Sequence, residues 1–265
     1  MKNLPKYKVG GFEIVRDLLS LSELKNLVEF YDEVFSSQEA YDNGDLYDMA
    51  GKEHGNNMRR WKVPQLMHPD RYCPSLKETD LFKDASEFAS DYFGEKATVT
   101  FAHAINKNPH CTAETPWHQD AAFWRPELKY NSVSIWVPLQ DVDTHNGCMR
   151  YIEGSHEYDV LPHQSVNNNI NAQGFELASE LQPKFLQNVT PVPLKVGEAV
   201  AHCPYVLHSA GANQSSDFRR ALIIDASIAH EDRQRKCHFE WVEKRRTRRS
   251  EILESMNVHW TGEPA

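Results

Sequence analysis

From residue 97 onward the chain is a succession of short β-prone runs with no helical periodicity between them. Residues 97–105, 132–139, 148–152, 199–201 and 221–228 are apolar and rich in β-branched and aromatic side chains. Turn signals punctuate them, among them Asn146-Gly147, Glu153-Gly154 and Val196-Gly197-Glu198. Many short strands without intervening helices point to an antiparallel sandwich, barrel or jelly roll. A chain of 265 residues is long enough to bury a sizeable core in one such domain with extensions.

The segment before this β region is patterned differently. Val9, Phe12, Ile14 and Leu18 alternate and predict an opening strand followed by a turn. Ser20 or Ser22 then precedes Leu24, Leu27, Val28 and Tyr31, with Glu23 in the first turn, which predicts an amphipathic helix to about Phe35. A second helix is expected over 81–93, ended at Gly94. Residues 36–57 are dominated by Asp, Asn, Gly and Glu and read as an exposed or mobile loop. Arg59, Arg60 and Lys62 flank Trp61, so this stretch is either an anion-recognition loop or a solvated edge whose Trp61 plugs the core. Residues 165–193 form a long polar interruption, expected to lie over one end of the barrel as a lid-like insertion. The charged tail from Glu231 reads as a helix capping the outside rather than a nucleic-acid-binding arm. No internal repeat appears, so 1–265 is expected to be one domain. It would comprise a helical region over about 1–94, a jelly-roll core over about 95–230 and a charged extension over 231–265.

Bulk properties remove several function classes. A formal net charge of -9 argues against general nucleic-acid affinity, which needs a basic face to displace counterions. No apolar run has the length to cross a bilayer and no apolar leader opens the sequence, so a cytoplasmic protein without membrane partners is expected. The five cysteines are scattered and never form a CxxC pair, which suits reduced core thiols and offers neither a zinc ribbon nor a disulfide framework.

The chemistry concentrates in His118-Gln119-Asp120. One residue separates the imidazole from the carboxylate, so on an extended segment both leave the same face. Together they can take adjacent corners of an octahedral ion, and a third ligand from elsewhere completes the two-His-one-carboxylate triad that suits non-haem Fe(II). His208, in Leu207-His208-Ser209, supplies that ligand if paired strands bring it back. Arg219 stands at the entry to the last β run, where a planar guanidinium can hold a dicarboxylate. Arg220 is its rival, because strand neighbours face opposite ways. His202 reads as a packed or hydrogen-bonded core histidine, and His156 as part of a turn.

Taken in order, these stretches resemble the phytanoyl-CoA dioxygenase family. The resemblance is carried by His118-Gln119-Asp120 with Trp124, then Trp136-Val137-Pro138-Leu139-Gln140-Asp141, Asn146-Gly147-Cys148-Met149, Gly154-Ser155-His156, His208 and Arg219. It implies a double-stranded β-helix, or jelly-roll, core and a dioxygenase that uses Fe(II), 2-oxoglutarate and dioxygen. His118, Asp120 and His208 would be the iron ligands and Arg219 the partner of the cosubstrate's distal carboxylate. Asn106 matches a position that contacts the cosubstrate, and Trp124 and Trp136 match pocket-lining positions. Halogenating relatives replace the carboxylate with a small residue, and this chain keeps Asp120. Hydroxylation of a small molecule, with release of succinate and carbon dioxide, is therefore expected. The alternatives are a desaturating or cyclising oxygenase of a natural-product pathway, or a metal-binding jelly-roll module without turnover. Phe123 would help wall the pocket, and Arg59, Lys62 and Lys107 suggest an anionic or zwitterionic metabolite.

Overall fold

The computed structural model describes residues 10–49, 61–234 and 237–255. The N-terminal part runs β1 (Phe12–Val15), α1 (Leu21–Val34), α2 (Gln38–Asp42), β2 (Leu46–Asp48), β3 (Pro64–Met67), α3 (Pro69–Tyr72) and α4 (Asp80–Phe93). The middle runs β4 (Thr98–Lys107), β5 (Thr115–His118), β6 (Leu128–Lys129), β7 (Ser132–Pro138), β8 (Met149–Ile152), β9 (His163–Ser165) and β10 (Phe175–Leu177). After α5 (Gln182–Phe185) come β11 (Val189–Val192), β12 (Ala199–His202), β13 (His208–Ala210), β14 (Arg219–Ser227), β15 (Glu231–Asp232), α6 (Glu240–Lys244) and α7 (Arg248–Ser255).

Eight strands divide between two sheets, in the orders β12-β7-β14-β4 and β11-β8-β13-β5. All pairings are antiparallel, and the chain passes from one sheet to the other as it proceeds, which is the jelly roll expected from the strand pattern. β1 extends the larger sheet beside β12, and β3 and β2 extend it beside β4. The N-terminal region, expected to be helical, thus contributes three strands as well as helices. Asn146-Gly147 does make a turn, with Gly147 at a φ of +91° and its amide donating to Asp143 O. It is an arch rather than a hairpin, because β7 and β8 belong to different sheets.

The two faces of the larger sheet explain why β7 and most of β14 are buried throughout. Val133, Ile135 and Val137, with Leu222, Ile224 and Ala226, face the helices α1 and α4. Trp136, Ala221 and Ile223 face the smaller sheet, where they meet Met149, Tyr151 and Ala210. Capping locks the helical layer. Ser20 accepts from the Glu23 amide and donates to its carboxylate, while the other Glu23 oxygen caps α4 by accepting from Leu81 N at 2.9 Å. Gly94 ends α4 at a φ of +68°, as its position in the sequence predicts.

Residues 45–48 overturn the expectation of an exposed loop. Asp45, Leu46, Tyr47 and Asp48 are buried, and the acids are there because they are bonded. Asp48 accepts from the amides of Lys62 and Val63, and Asp45 accepts from Tyr72 Oη, Arg71 and Arg249. Trp61 plugs the core with 2% of its surface exposed. The insertion over 165–193 is half wall and half core. Its first part closes the β9–β10 ribbon, and its end supplies β11, a strand of the smaller sheet. The tail does not simply cap the outside either, since Arg245 and Arg249 point inward and are buried. Among the described residues no helix is long and apolar enough to cross a membrane.

Candidate metal centre

Strand register builds the site from two facing rows. On the smaller sheet His208 stands opposite both His118 and Tyr151. On the larger sheet Asp225 stands opposite Phe101 and Ser134, and Ser134 opposite His202. Asp120, just past the end of β5, drops between the rows. Gln119, the middle residue of the motif, turns the other way into a closed socket. Its amide donates to Tyr205 O at 2.7 Å, its Oε1 accepts from Leu161 N at 2.7 Å, and its backbone N–H donates to His163 Nε2. That anchoring fixes the direction in which His118 and Asp120 point.

His118, Asp120 and His208 each offer a ligand atom within 4.8 Å of the others. His118 Nε2 lies 3.6 Å and His208 Nε2 3.4 Å from Asp120 Oδ1. Both rings have their tautomer set from behind. His118 Nδ1 donates to Pro116 O at 2.7 Å and His208 Nδ1 to Val206 O at 3.0 Å, which leaves both Nε2 lone pairs aimed at the same point. Burial, and then the neighbouring His208, holds His118 below the usual imidazole range, so it stays neutral as a ligand must. Burial alone would raise Asp120, but the three surrounding histidines hold it well below the usual carboxylate range.

The other Asp120 oxygen is held by the larger sheet. Oδ2 accepts from His202 Nε2 at 3.1 Å and from Ser134 Oγ at 2.9 Å. Tyr151 Oη bonds to His202 Nδ1 at 3.1 Å, so this histidine passes a donor from the hydroxyl to the carboxylate. Ser134 also contacts Asp225 Oδ1, although a hydroxyl has one proton to give. Burial, reinforced by the charge on Asp120, pushes Asp225 up to about 8, so at neutral pH it is protonated and donates to Ser134. The result is a carboxylate with one oxygen pinned and one presented toward His118 and His208. Ser134→Ala and His202→Leu are each expected to weaken Fe(II) binding about 10- to 100-fold. Asp225→Asn, which keeps a donor toward Ser134, should retain binding. An anaerobic metal titration of the three variants tests this, and equal affinities throughout would show that Asp120 needs no such support.

The cavity continues from the triad to Arg219, which is 1% exposed and lies 5.5 Å from the centre of the Trp136 ring. None of its three guanidinium nitrogens has a hydrogen-bond partner among the described residues, nor does the buried hydroxyl of Thr115 on the same cavity wall. Buried donors left this way are costly, and a carboxylate would satisfy them together. Burial lowers Arg219 only to about 10, so it remains a cation. Arg220 faces outward to Asp32 at 2.8 Å, so of the two neighbours it is Arg219 that lines the cavity.

Phe123, Trp124 and Trp136 line the cavity. Three other residues singled out in the sequence are not among those lining the cavity, and a fourth is not described. Asn106 does not line the cavity, because it lies on the face of β4 opposite His103 and Ile105, in register with Arg220. Lys107 does share the inner face but does not line the cavity, its Nζ donating to the carbonyls of Ala210 and Gly211 at 3.1 and 2.6 Å. Lys62 is exposed and away from the cavity. Arg59 lies outside the described residues. In their place the cavity wall holds His68, His103, Gln173, Arg245 and Arg249, none of which the sequence reading proposed. Burial pushes His68 and His103 down to about 4, so both are neutral near pH 7.

Comparison with known proteins places these features in context. The family profile described as Phytanoyl-CoA dioxygenase (PhyH) matches residues 7–221. Peroxisomal phytanoyl-CoA dioxygenase of Bos taurus is 25% identical over 176 residues, covering 64% of this chain and 47% of that protein. This chain therefore spans about half the length of that relative. A probable alpha-ketoglutarate-dependent hypophosphite dioxygenase of Stutzerimonas stutzeri is 25% identical over 238 residues, covering 84% and 77%. Among solved structures, EvdO2 from Micromonospora carbonacea var. aurantiaca superposes with a TM-score of 0.75 at 29% identity, covering 89% of this chain and 93% of that one. Its complex with 2-oxoglutarate gives a TM-score of 0.74 at 26% identity, with the same coverage.

Proposed function

Because this chain belongs to the phytanoyl-CoA dioxygenase family, we propose that it is an Fe(II)- and 2-oxoglutarate-dependent dioxygenase that hydroxylates a small molecule. The observation that carries the reading is one cavity holding both a His-Asp-His cluster and a buried guanidinium whose nitrogens have no hydrogen-bond partner among the described residues. His118, Asp120 and His208 would hold Fe(II) through two neutral nitrogens and one carboxylate oxygen, leaving the opposite face open. Arg219, with the Thr115 hydroxyl beside the same cavity, would receive the distal carboxylate of 2-oxoglutarate. Bound iron would supply the activation of dioxygen and the oxidative decarboxylation of the cosubstrate to succinate and carbon dioxide.

The rest of the work belongs to the protein. Trp124, Trp136 and Phe123 present apolar walls that exclude water from the reacting centre. Phe123 packs edge-on to His118 at 5.5 Å and restrains that ring. Retention of Asp120 keeps the third protein ligand in place, which supports oxygen transfer to the substrate. An anionic or zwitterionic metabolite remains the proposed substrate class, although neither Lys62 nor Lys107 is among the residues lining the cavity. Turnover under isotopically labelled dioxygen tests the reaction type. One labelled atom is expected in the organic product and one in succinate; label in succinate alone, with a product two hydrogens lighter, would replace hydroxylation by desaturation or cyclisation.

A further inference from the structure

The wall of the cavity contributed by the C-terminal segment has no role in the chemistry above. Arg245, between α6 and α7, is 8% exposed and lines the cavity together with Gln173 and Gly174 from the loop between β9 and β10. Its guanidinium lies 5.2 Å from the centre of the Phe175 ring, and Nη1 donates to the backbone carbonyl of Gln173 at 3.4 Å. The position is built rather than incidental. Arg249, one turn further on, is tied to Gly44 O at 2.8 Å and to the buried Asp45 carboxylate, and Arg248 stacks on Tyr41 at 3.9 Å. Phe175 in turn packs on Phe123 at 4.9 Å, which joins this wall to the metal centre.

A second observation points to a ligand. Gln173 is 8% exposed, and its side-chain Nε2 is sealed from solvent with no hydrogen-bond partner among the described residues. A buried amide donor left unsatisfied costs about 1–3 kcal/mol, so a bound acceptor is its natural complement. Among the described residues the carboxylates lining the cavity are Asp120 and Asp225, which contact Ser134 at the metal end. The wall formed by Arg245 and Gln173 offers a planar cation and an amide donor, with an aromatic ring 5.2 Å from the cation. That is a surface for an oxyanion alongside an apolar stem.

We propose that Arg245 and Gln173 form the subsite that binds an oxyanion group, carboxylate or phosphonate, of the substrate. This rests on the oxygenase reading and deepens it, moving substrate recognition from the Trp61 region to the C-terminal segment. Arg219 is reserved for the cosubstrate, so the two arginines divide the two anions between them.

The test uses the full chain loaded anaerobically with Fe(II) and 2-oxoglutarate. Binding of a panel of small carboxylates and alkylphosphonates, each paired with its uncharged amide or ester, is measured by calorimetry and by shift of the melting temperature. At least one anion is expected to bind while its neutral partner does not. The carboxylate or the phosphonate arm then identifies the group. Arg245→Gln should weaken that binding about tenfold or more, Arg245→Lys and Gln173→Leu should each weaken it by less, and Arg220→Gln should leave it unchanged. The lysine and leucine variants keep the question answerable if Arg245→Gln does not fold. Neutral partners binding as well as the anions, no anion binding at all, or anion binding that survives in all three variants would overturn the proposal. So would a rise in the 2-oxoglutarate KM as the main effect of Arg245→Gln. Iron-dependent succinate formation by the unaltered protein is scored separately, so that loss of the oxygenase reading is not mistaken for loss of this one.

Discussion

Arg219→Leu is expected to raise the KM for 2-oxoglutarate by about a hundredfold or more while leaving the fold intact or firmer. The two halves of that expectation have one cause. In the protein alone the guanidinium is buried and none of its nitrogens has a partner among the described residues. Its desolvation is repaid only when a carboxylate arrives. Removing one member of a buried, hydrogen-bonded charge pair costs about 2–5 kcal/mol of binding, and each 1.4 kcal/mol is a factor of ten. Removing it from the ligand-free protein takes away a desolvated charge and substitutes an apolar side chain against Trp136. A melting temperature equal to or above that of the unaltered protein, together with a steep rise in KM, is the signature. Arg219→Lys keeps the charge but not the two-pronged geometry, and should fall between. A large loss of stability with an unchanged KM would assign Arg219 to the core instead.

His208→Ala carries the other large effect. Loss of an outer hydrogen-bond partner costs about 10- to 100-fold in metal affinity, so loss of a ligand atom itself should exceed a hundredfold. The effect should be specific to metal. His208 lies on a short strand between β5 and β8, and its neighbour Ser209 keeps its bond to Arg150, so the smaller sheet has other means of holding together. A titration with Fe(II) followed by measurement of succinate separates the outcomes. A variant that still binds iron tightly and turns over 2-oxoglutarate would remove His208 from the ligand set.

The larger part of this arrangement could be read from strand parity. His118 and Asp120 are two positions apart, and Arg219 is inward because Arg220 is not. The same two-residue rule, carried further, reaches residues that were passed over. From Arg219 it leads through Ala221 and Ile223 to Asp225, and from Trp136 back to Ser134, which are the groups that steady Asp120. Parity also explains why Asn106 does not line the cavity, since its neighbours Ile105 and Lys107 occupy the inner face. Other features are not local. The acidic stretch at 45–48 looked solvent-exposed because its partners, Tyr72 and Arg249, lie far along the chain. Arg245 was hidden in a run of charges that reads as a solvated helix face. Only tertiary packing distinguishes Arg245 and Arg249, which turn inward, from Lys244, which pairs with Glu240 at the surface.

The central claim is that this cavity couples iron to 2-oxoglutarate. Succinate formation and oxygen uptake, measured after anaerobic loading with Fe(II) and 2-oxoglutarate, address it directly when the unaltered protein is compared with Asp120→Ala. Succinate that requires both iron and 2-oxoglutarate, and disappears in the variant, is the result this account predicts. An iron-loaded protein that forms no succinate with any of a broad panel of small acids, or an Asp120→Ala variant as active as its parent, would contradict it.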